Sequence, residues 1–363
     1  MTDATLISGP HAHAARSVGR TMALVMLALL PATLFGLYIY GWPALNLFLV
    51  TVAAAVVAEA LCLWMAGKPL RPYLSDGSAV LTGWLLAMTL PPWAPWWIGV
   101  TGSLIAIVIA KQVFGGIGQN LFNPAMVARV ALLIAFPLEM TTFVAPQSWL
   151  SSGAPDFIQG LGITFAGSPA VDVVSTASPL GHIKTELGRD LPLSSFVASA
   201  FDTLRGLTGF TAGSLGETSA LLVLAGGLFL LWRRIISWHI PAAMIATLMA
   251  LAALFHTLDP EHYAGPLIHL LSGATLLGAF FIATDLVTSP VTPAGQLLFG
   301  AGCGALVFVI RTWAGYPEGM AFAVMLMNAL TPLIDHYIRP RVYGRDRKGQ
   351  PLVPEGGGAE RSR

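Results

Sequence analysis

Ten apolar stretches, separated by short polar or proline- and glycine-rich breaks, follow one another along the chain. They cover residues 21–40, 43–66, 77–91, 95–113, 124–139, 218–232, 238–257, 266–285, 294–313 and 318–337. A helix needs about 20 apolar residues to cross the hydrocarbon core of a bilayer, so each stretch is a candidate membrane span. The third and fifth are short, which leaves room for tilted or broken helices. The pattern predicts an all-α polytopic membrane protein.

Composition agrees with this class of protein. Of the 363 residues, 55% are hydrophobic and only 10% are charged, whereas soluble domains carry about 25% charged residues. The net charge of +1 gives no argument for a nucleic-acid partner. The first twenty residues lack an apolar core with a cleavage site, so no cleaved signal peptide is expected. Two cysteines are too few for an iron–sulfur cluster in this chain alone.

Positive charges between the apolar stretches predict the orientation, because loops rich in Lys and Arg stay in the cytoplasm. With ten alternating spans, one side of the membrane receives Arg16, Arg20, Lys68, Arg71, Lys111, Arg233, Arg234, Arg339, Arg341, Arg345, Arg347 and Lys348. Both termini are therefore expected in the cytoplasm, and the polar segment 140–217 on the opposite face of the membrane.

Five spans on either side of this segment predict two halves of opposite topology. The expected parts are a cytoplasmic tail 1–20, a first half 21–139, an extracytoplasmic insertion 140–217, a second half 218–337 and a basic tail 338–363. Weak internal similarity supports the repeat. Ala79-x-Leu81-x-Gly83 matches Ala274-x-Leu276-x-Gly278, and Lys111-x-x-x-Gly115 matches Arg311-x-x-x-Gly315. Within the insertion, 193–207 is predicted to form an amphipathic helix.

The insertion contains a small, hydroxyl-rich motif in an otherwise apolar chain. It consists of Asp172, Ser175, Thr176, Ala177 and Ser178. This spacing resembles D-x-x-[ST]-G-A-[ST], the signature at which a flavin transferase esterifies the phosphate of FMN to a hydroxyl side chain. The alternatives are an ordinary Ser/Thr turn before Pro179, or attachment at Ser175 or Thr176. A second candidate, Ser-Gly-Ala-Thr at 272–275, lies in an apolar stretch, where small residues favour close helix packing.

Further motifs extend this resemblance over nearly the whole membrane portion. They are SDGSAVLTG at 75–83, TLPP at 89–92, KQVFGGIGQNLFNPAM at 111–126, SGATLLGAFFIATD at 272–285 and MLMNALTPLID at 325–335. Together they resemble the RnfD and NqrB family of membrane subunits. In that family the second hydroxyl of the insertion motif carries FMN, which corresponds here to Ser178. The family usually has threonine at this position, and glycine at the position of Thr176.

The resemblance implies a bacterial inner-membrane subunit of an NADH:ferredoxin-type oxidoreductase that couples electron transfer to Na⁺ or H⁺ translocation. It implies a covalent FMN on Ser178, with the rest of the motif as its surroundings. The implied partners are iron–sulfur membrane subunits, an extracytoplasmic FMN subunit and a flavin transferase for maturation. A secondary transporter or channel without a redox cofactor is the competing class of protein, and a structural scaffold is a third.

A glycine-rich loop and four charged residues complete the candidate sites. Gly115, Gly116, Gly118 and Asn120 precede an apolar stretch and predict either a tight turn or contacts to a second, noncovalent flavin such as riboflavin.

The charged residues lie in or at the ends of apolar stretches, where ionisable groups are costly and often functional. Glu59 and Arg129 are expected either to pair with each other or to serve ion or proton movement. Asp76 and Asp285 occupy cytoplasmic ends, where they suit a cation entry vestibule or are simply solvated.

Overall fold

The structure is a computed structural model that describes residues 17–151, 153–167, 175–176, 178–316 and 318–340. Its α-helices are α1 (Val18–Met65), α2 (Leu70–Leu74), α3 (Ser78–Thr89), α4 (Trp96–Leu104), α5 (Pro124–Ala135), α6 (Pro137–Thr141), α7 (Phe157–Leu161), α8 (Pro179–Leu187), α9 (Leu193–Ala200), α10 (Thr203–Thr208), α11 (Ala220–Trp232), α12 (His239–Leu258), α13 (Pro266–Leu271), α14 (Thr275–Leu277), α15 (Pro293–Trp313) and α16 (Met320–Tyr337). The π-helical segments are Ile105–Gln112, Gly162–Ala166 and Gly278–Ile282, and Leu215–Glu217 forms a 3₁₀ turn.

The all-α prediction is confirmed for the described residues, in which a single two-residue strand pair is the only β-structure. By length and composition, α1, α12 and α15 are each able to cross a membrane. Shorter apolar helices run over Trp96–Gln112, Pro124–Ala135, Phe157–Ala166 and Ala220–Trp232. These elements describe a polytopic membrane protein, while the number of spans and the domain boundaries stay predictions.

The first two predicted spans form one continuous element, α1, with a sharp kink. Gly41 interrupts the helix with φ 69° and ψ −154°, a conformation that glycine adopts at little cost. Pro43 follows two residues later and lacks the N–H that a helix interior needs. The kink therefore lies at the break between the apolar stretches 21–40 and 43–66.

The predicted span 266–285 is broken in the structure, contrary to the expectation of a continuous helix. The first piece, α13, ends before Ser272, and α14 begins at Thr275. Gly273 adopts φ 68° between them. A Cβ atom at this position would collide with the Glu318 carboxylate and come within 2.7 Å of the Arg311 guanidinium. The small residues of 272–275 thus form a break that receives charged side chains, not a helix-packing surface.

Glycines bring α12 and α15 into close contact at the centre of the core. A Cβ atom on Gly300 of α15 would lie 2.6 Å from the Ile240 carbonyl oxygen of α12, and one on Gly304 would overlap the Met244 carbonyl. Small residues at such crossings let helix backbones approach, which is the usual source of helix association in a bilayer. The fully buried Phe299 and Phe308 of α15 add bulk to the same core cluster.

A small apolar cluster holds the insertion to the membrane part. Within the insertion, strand β1 (Phe143–Val144) pairs antiparallel with β2 (Ser175–Thr176). Leu180 and Ile183 of α8 pack with Leu193, Phe196 and Ile268. The predicted amphipathic helix 193–207 is two helices, α9 and α10, because the backbone is extended at residues 201 and 202, between them.

Candidate functional site

Ser178 lies at the N-terminus of α8, directly after the β1–β2 pair. Its hydroxyl accepts a hydrogen bond from the Gly181 N–H at 3.2 Å and so caps the helix, with Pro179 at the first helical position as expected for a helix start. The residue is 9% exposed. Of the other motif residues, Ser175 and Thr176 form β2, while Asp172 and Ala177 lie outside the described residues.

A small cavity adjoins Ser178, with a volume of about 20 Å³. Its walls are Arg129 and Leu133 of α5, Met140, Thr141, Phe143, Ser178, Leu180, Glu217 and Glu318. The strand pair places Ser178 beside this face of α5, since β1 follows α5 and α6 directly in the chain. A volume of this size holds about one water molecule, so the cavity suits a small polar group and excludes an aromatic ring system.

Lys184, one turn further along α8, anchors this helix to the end of α15. Its ammonium donates hydrogen bonds to the carbonyl oxygens of Arg311 at 3.2 Å and Tyr316 at 3.0 Å, and also to that of Ala314. Carbonyl groups at a helix C-terminus carry partial negative charge and bind cations favourably. Partial burial lowers the pKa of the Lys184 ammonium from its usual value. Sequence inspection did not single out Lys184.

Replacement of Lys184 by methionine is expected to loosen α8. Three hydrogen bonds from a charged donor are lost, and hydrogen bonds to charged groups contribute about 1.5–3 kcal/mol each at most sites. Lys184 is half-buried, so we expect the lower end for the whole group, about 2 kcal/mol. Amide hydrogen exchange in α8 should then accelerate about 30-fold, while exchange in α12 stays unchanged. Equal exchange in α8 of the variant and the parent would contradict the anchoring role.

The predicted pairing of Glu59 with Arg129 is wrong. Glu59 of α1 is 2% exposed, and both of its carboxylate oxygens accept hydrogen bonds from Lys111 Nζ at 3.0 Å. Ser78 Oγ also accepts from Lys111 at 2.8 Å, and Gln112 Nε2 donates to Glu59 at 2.7 Å. Lys111, predicted to be a cytoplasmic loop charge, is 2% exposed and belongs to the protein interior. The pair balances two charges that would be costly alone.

A second buried ion pair joins Arg311 and Glu318. Arg311 of α15 is 6% exposed and lies 2.9 Å from the Glu318 carboxylate. Its guanidinium also donates to the carbonyl oxygens of His269 at 2.7 Å and Ser272 at 3.2 Å, at the break after α13. Lys111 and Arg311 are the residues that the internal similarity aligned. Each cation therefore binds beside the start of a short helix, α3 or α14.

A larger cavity has a volume of about 110 Å³. Its polar lining residues include Asn120, Asn123, Ser78, Lys111, Asp285 and three threonines, and apolar residues supply most of its remaining wall. Asn123 caps α5 by accepting from the Ala125 N–H at 3.1 Å. Of the residues predicted to contact a second flavin, Asn120 thus lines the cavity.

The glycines of the same loop are placed differently. Gly115 and Gly118 are exposed, Gly116 is buried, and all three have positive φ angles. This backbone is the tight turn that the sequence left open as an alternative.

The two predicted vestibule carboxylates are both engaged in local hydrogen bonds. Asp76 accepts from the Ser78 N–H and hydroxyl, at 2.7 and 2.6 Å. Asp285 accepts from the Val287 N–H and the Thr288 hydroxyl, at 3.3 and 3.2 Å. Asp285 reaches the 110 Å³ cavity and Asp76 is not among the residues that line it. Neither residue is fully buried.

The fold and these sites define a polytopic membrane protein in which the polar segment 140–217 folds back over buried charged residues. The chain belongs to the NQR2, RnfD, RnfE family, whose model matches residues 5–344.

Three similar proteins are each named as the D-type subunit of an ion-translocating oxidoreductase complex. The protein from Halorhodospira halophila (strain DSM 244 / SL1) is 56% identical over 347 residues, which cover 96% of this chain and 97% of the relative. That from Stutzerimonas stutzeri is 58% identical, with coverage of 93% and 95%. That from Escherichia coli (strain SE11) is 44% identical, with coverage of 95% and 99%.

Proposed function

We propose that this chain is the D-type membrane subunit of an ion-translocating oxidoreductase complex of the Rnf type. Within the complex it carries electrons through an FMN esterified to Ser178 and contributes to Na⁺ or H⁺ translocation. Relatives that match almost the full chain at 44–58% identity support the complex. The observation that carries the flavin proposal is the placement of Ser178, whose hydroxyl caps α8 beside a cavity containing Arg129.

The residues around Ser178 fit a phosphoester. At the N-terminus of α8, Pro179 has no N–H and the Gly181 N–H already donates to Ser178 Oγ. The Leu180 N–H is therefore the group that this helix start offers to an anion. The adjoining cavity is too small for a flavin ring and large enough for a phosphate oxygen. When bound, the flavin supplies reversible electron transfer, and the protein supplies its position and electrostatic surroundings.

Attachment requires an activated flavin nucleotide, because ester formation from a free phosphate would have to expel hydroxide. In the proposed transfer, Ser178 Oγ attacks the flavin-side phosphorus of a flavin dinucleotide. The Oγ–P bond forms, the phosphoanhydride bond breaks, adenosine monophosphate leaves, and the hydroxyl proton passes to the transferase or to water. Because Ser178 is 9% exposed and engaged as a helix cap, the transferase must act before α8 is packed or while its first turn is open.

Replacement of Ser178 by alanine tests the flavin proposal. The parent chain and Ser178→Ala are each coexpressed with a flavin transferase and separated under denaturing conditions. We expect a fluorescent flavin band for the parent and its complete loss for Ser178→Ala. Ser195→Ala, in which an exposed insertion hydroxyl is removed, serves as a matched control and should keep the fluorescence.

Other outcomes of this experiment would contradict the proposal in separate ways. Fluorescence that survives in Ser178→Ala moves attachment to Ser175 or Thr176. A parent chain without fluorescence removes the covalent-flavin proposal, and a colourless native protein then favours the transporter or channel.

The proposed partners supply what this chain lacks. Two cysteines leave it without a cluster of its own, so electrons must arrive from iron–sulfur membrane subunits and pass to or from an extracytoplasmic FMN subunit.

We place the complex in the bacterial inner membrane with both termini of this chain in the cytoplasm. Cysteine-accessibility labelling at position 234 and at position 189 from either side of spheroplasts tests this orientation.

A second, noncovalent flavin such as riboflavin is proposed for the 110 Å³ cavity, on the basis of its polar end and apolar walls. Because a cavity of about 150 Å³ accommodates a single benzene ring, a three-ring flavin requires this one to widen.

The ion route is proposed to pass the same cavity at Asp285, which lines it. Glu59 is held by hydrogen bonds from Lys111 and Gln112, so we expect its side chain to stay in place during transport.

A further inference from the structure

Arg129 is a buried guanidinium without an anion bound to it. It lies on α5 and is 7% exposed. Among the described residues, its one hydrogen-bond partner is Met140 Sδ at 3.7 Å, and a thioether is a weak acceptor. The buried cations Lys111 and Arg311, by contrast, each bind a glutamate directly. Glu217 and Glu318 line the same cavity, but neither forms an ion pair with Arg129. Burial of a charge without a directly bound counterion is costly, so the position of Arg129 requires an explanation.

Arg129 lines the same 20 Å³ cavity as Ser178. Leu133, one turn further along α5, and Phe143 of β1 close the apolar side of this cavity. The Ser178 hydroxyl stands at its edge as the cap of α8. A buried cation, a helix N-terminus and a hydroxyl therefore converge on a volume suited to one or two oxygen atoms.

We infer that Arg129 binds the phosphate of the flavin nucleotide on Ser178, an inference that rests on the proposed function. A phosphate joined to two alcohols keeps one ionised charge, which a guanidinium can meet with two parallel hydrogen bonds. The Leu180 N–H at the start of α8 meets the same anion. Arg129 thus acts as a positioning residue that fixes the attached end of the cofactor and leaves the ring outside the cavity.

Two carboxylates lie on the same cavity and define how the charges balance. Glu318 is neutralised by Arg311 at 2.9 Å and accepts three further backbone hydrogen bonds, from Gly319 and Met320 at 3.1 Å and from Ala274 at 3.3 Å. Glu217 has no ion pair among those of the described chain. Its negative charge therefore competes with a phosphate for electrostatic attraction to Arg129. Removing its charge should strengthen phosphate binding, and removing the charge of Arg129 should weaken it.

The test compares the thermal stability of the full chain with and without its covalent flavin. Each variant is produced with and without a flavin transferase, and its midpoint of unfolding is measured in the same detergent. We expect flavin attachment to raise the midpoint of the parent by about 4 °C. Arg129→Gln should lose more than half of this gain, while Glu217→Gln should show a gain larger than that of the parent. The exposed Arg189 of the insertion provides a matched control, and Arg189→Gln should keep the parental gain.

The outcomes separate this inference from the function on which it rests. A parent chain without denaturation-resistant fluorescence overturns both. A fluorescent parent whose full gain persists in Arg129→Gln overturns the role of Arg129 alone. If Arg129→Gln cannot be purified as a folded chain, Glu217→Gln decides, because a gain equal to or below that of the parent contradicts the inference.

Discussion

Replacement of Lys111 by methionine is expected to lower the free energy of unfolding by about 3–5 kcal/mol, the usual cost of removing one partner of a buried ion pair. Lys111 and Glu59 side chains are each 3% exposed. In the variant, the Glu59 carboxylate keeps the hydrogen bond from Gln112, and the Ser78 hydroxyl oxygen loses the hydrogen bond that it accepts from Lys111. Thermal or denaturant unfolding in detergent measures the change.

The double variant Glu59→Gln with Lys111→Met should recover much of this loss, because it removes both charges together. Arg71→Met, which alters an exposed cation of α2, is the matched control and should stay within about 0.5 kcal/mol of the parent. If Lys111→Met is as mild as Arg71→Met, the pair does not stabilise the interior.

Replacement of Arg311 by methionine should have an effect of similar size, about 3–5 kcal/mol. Its guanidinium satisfies the carbonyl oxygens of His269 and Ser272 at the break in the chain as well as the Glu318 carboxylate. In the variant Glu318 loses its counterion, while the two carbonyl oxygens keep the hydrogen bonds that they accept from the Thr275 hydroxyl. Unfolding measurements under the conditions used for Lys111→Met allow a direct comparison of the two halves.

The variant Arg311→Lys tests whether the charge of Arg311 or the shape of its guanidinium stabilises the protein. Lysine keeps the charge that Glu318 needs, but it cannot reproduce the fork that reaches both carbonyl oxygens. We expect a stability between those of the parent and of Arg311→Met. A lysine variant as stable as the parent would show that the broken backbone after α13 does not depend on the guanidinium.

Helix positions were predictable from the sequence because membrane helices need long apolar stretches, but the break in 266–285 was not. No proline marks the break, and the apolar pattern continues through it. The chain opens there because Arg311, 39 residues beyond Ser272, supplies donors to the freed carbonyl oxygens. Such a contact depends on tertiary packing, which apolar periodicity does not contain.

The partner of Glu59 was mispredicted for a related reason. Arg129 lies deep in an apolar stretch and was one candidate counterion, whereas Lys111 ends the fourth stretch and was assigned to the cytoplasmic side. Helix rotation decides which side chains meet, and it turns Lys111 inward. The alignment of Lys111 with Arg311 was the available signal, since two basic residues at matching places in a repeat suggest a shared structural role.

The motif around Ser178 was recognised through family resemblance, and its position at a helix start agrees with the Ser-Pro sequence. Its neighbour Arg129 could not have been predicted. The two residues are 49 positions apart, and they line one cavity only because β1 and β2 fold the insertion back over α5. A two-residue strand pair is too short to read from a sequence pattern.

Ser178 lies between two contacts that join it to different helices. On its N-terminal side, the β1–β2 pair connects it to the chain that leaves α5. On its C-terminal side, Lys184 binds α8 to the last carbonyl groups of α15. A movement of α5 relative to α15 would therefore displace this short stretch of backbone. The flavin proposed for Ser178 would then change its distance to a neighbouring redox centre, so that electron flow would depend on the relative position of the two helices.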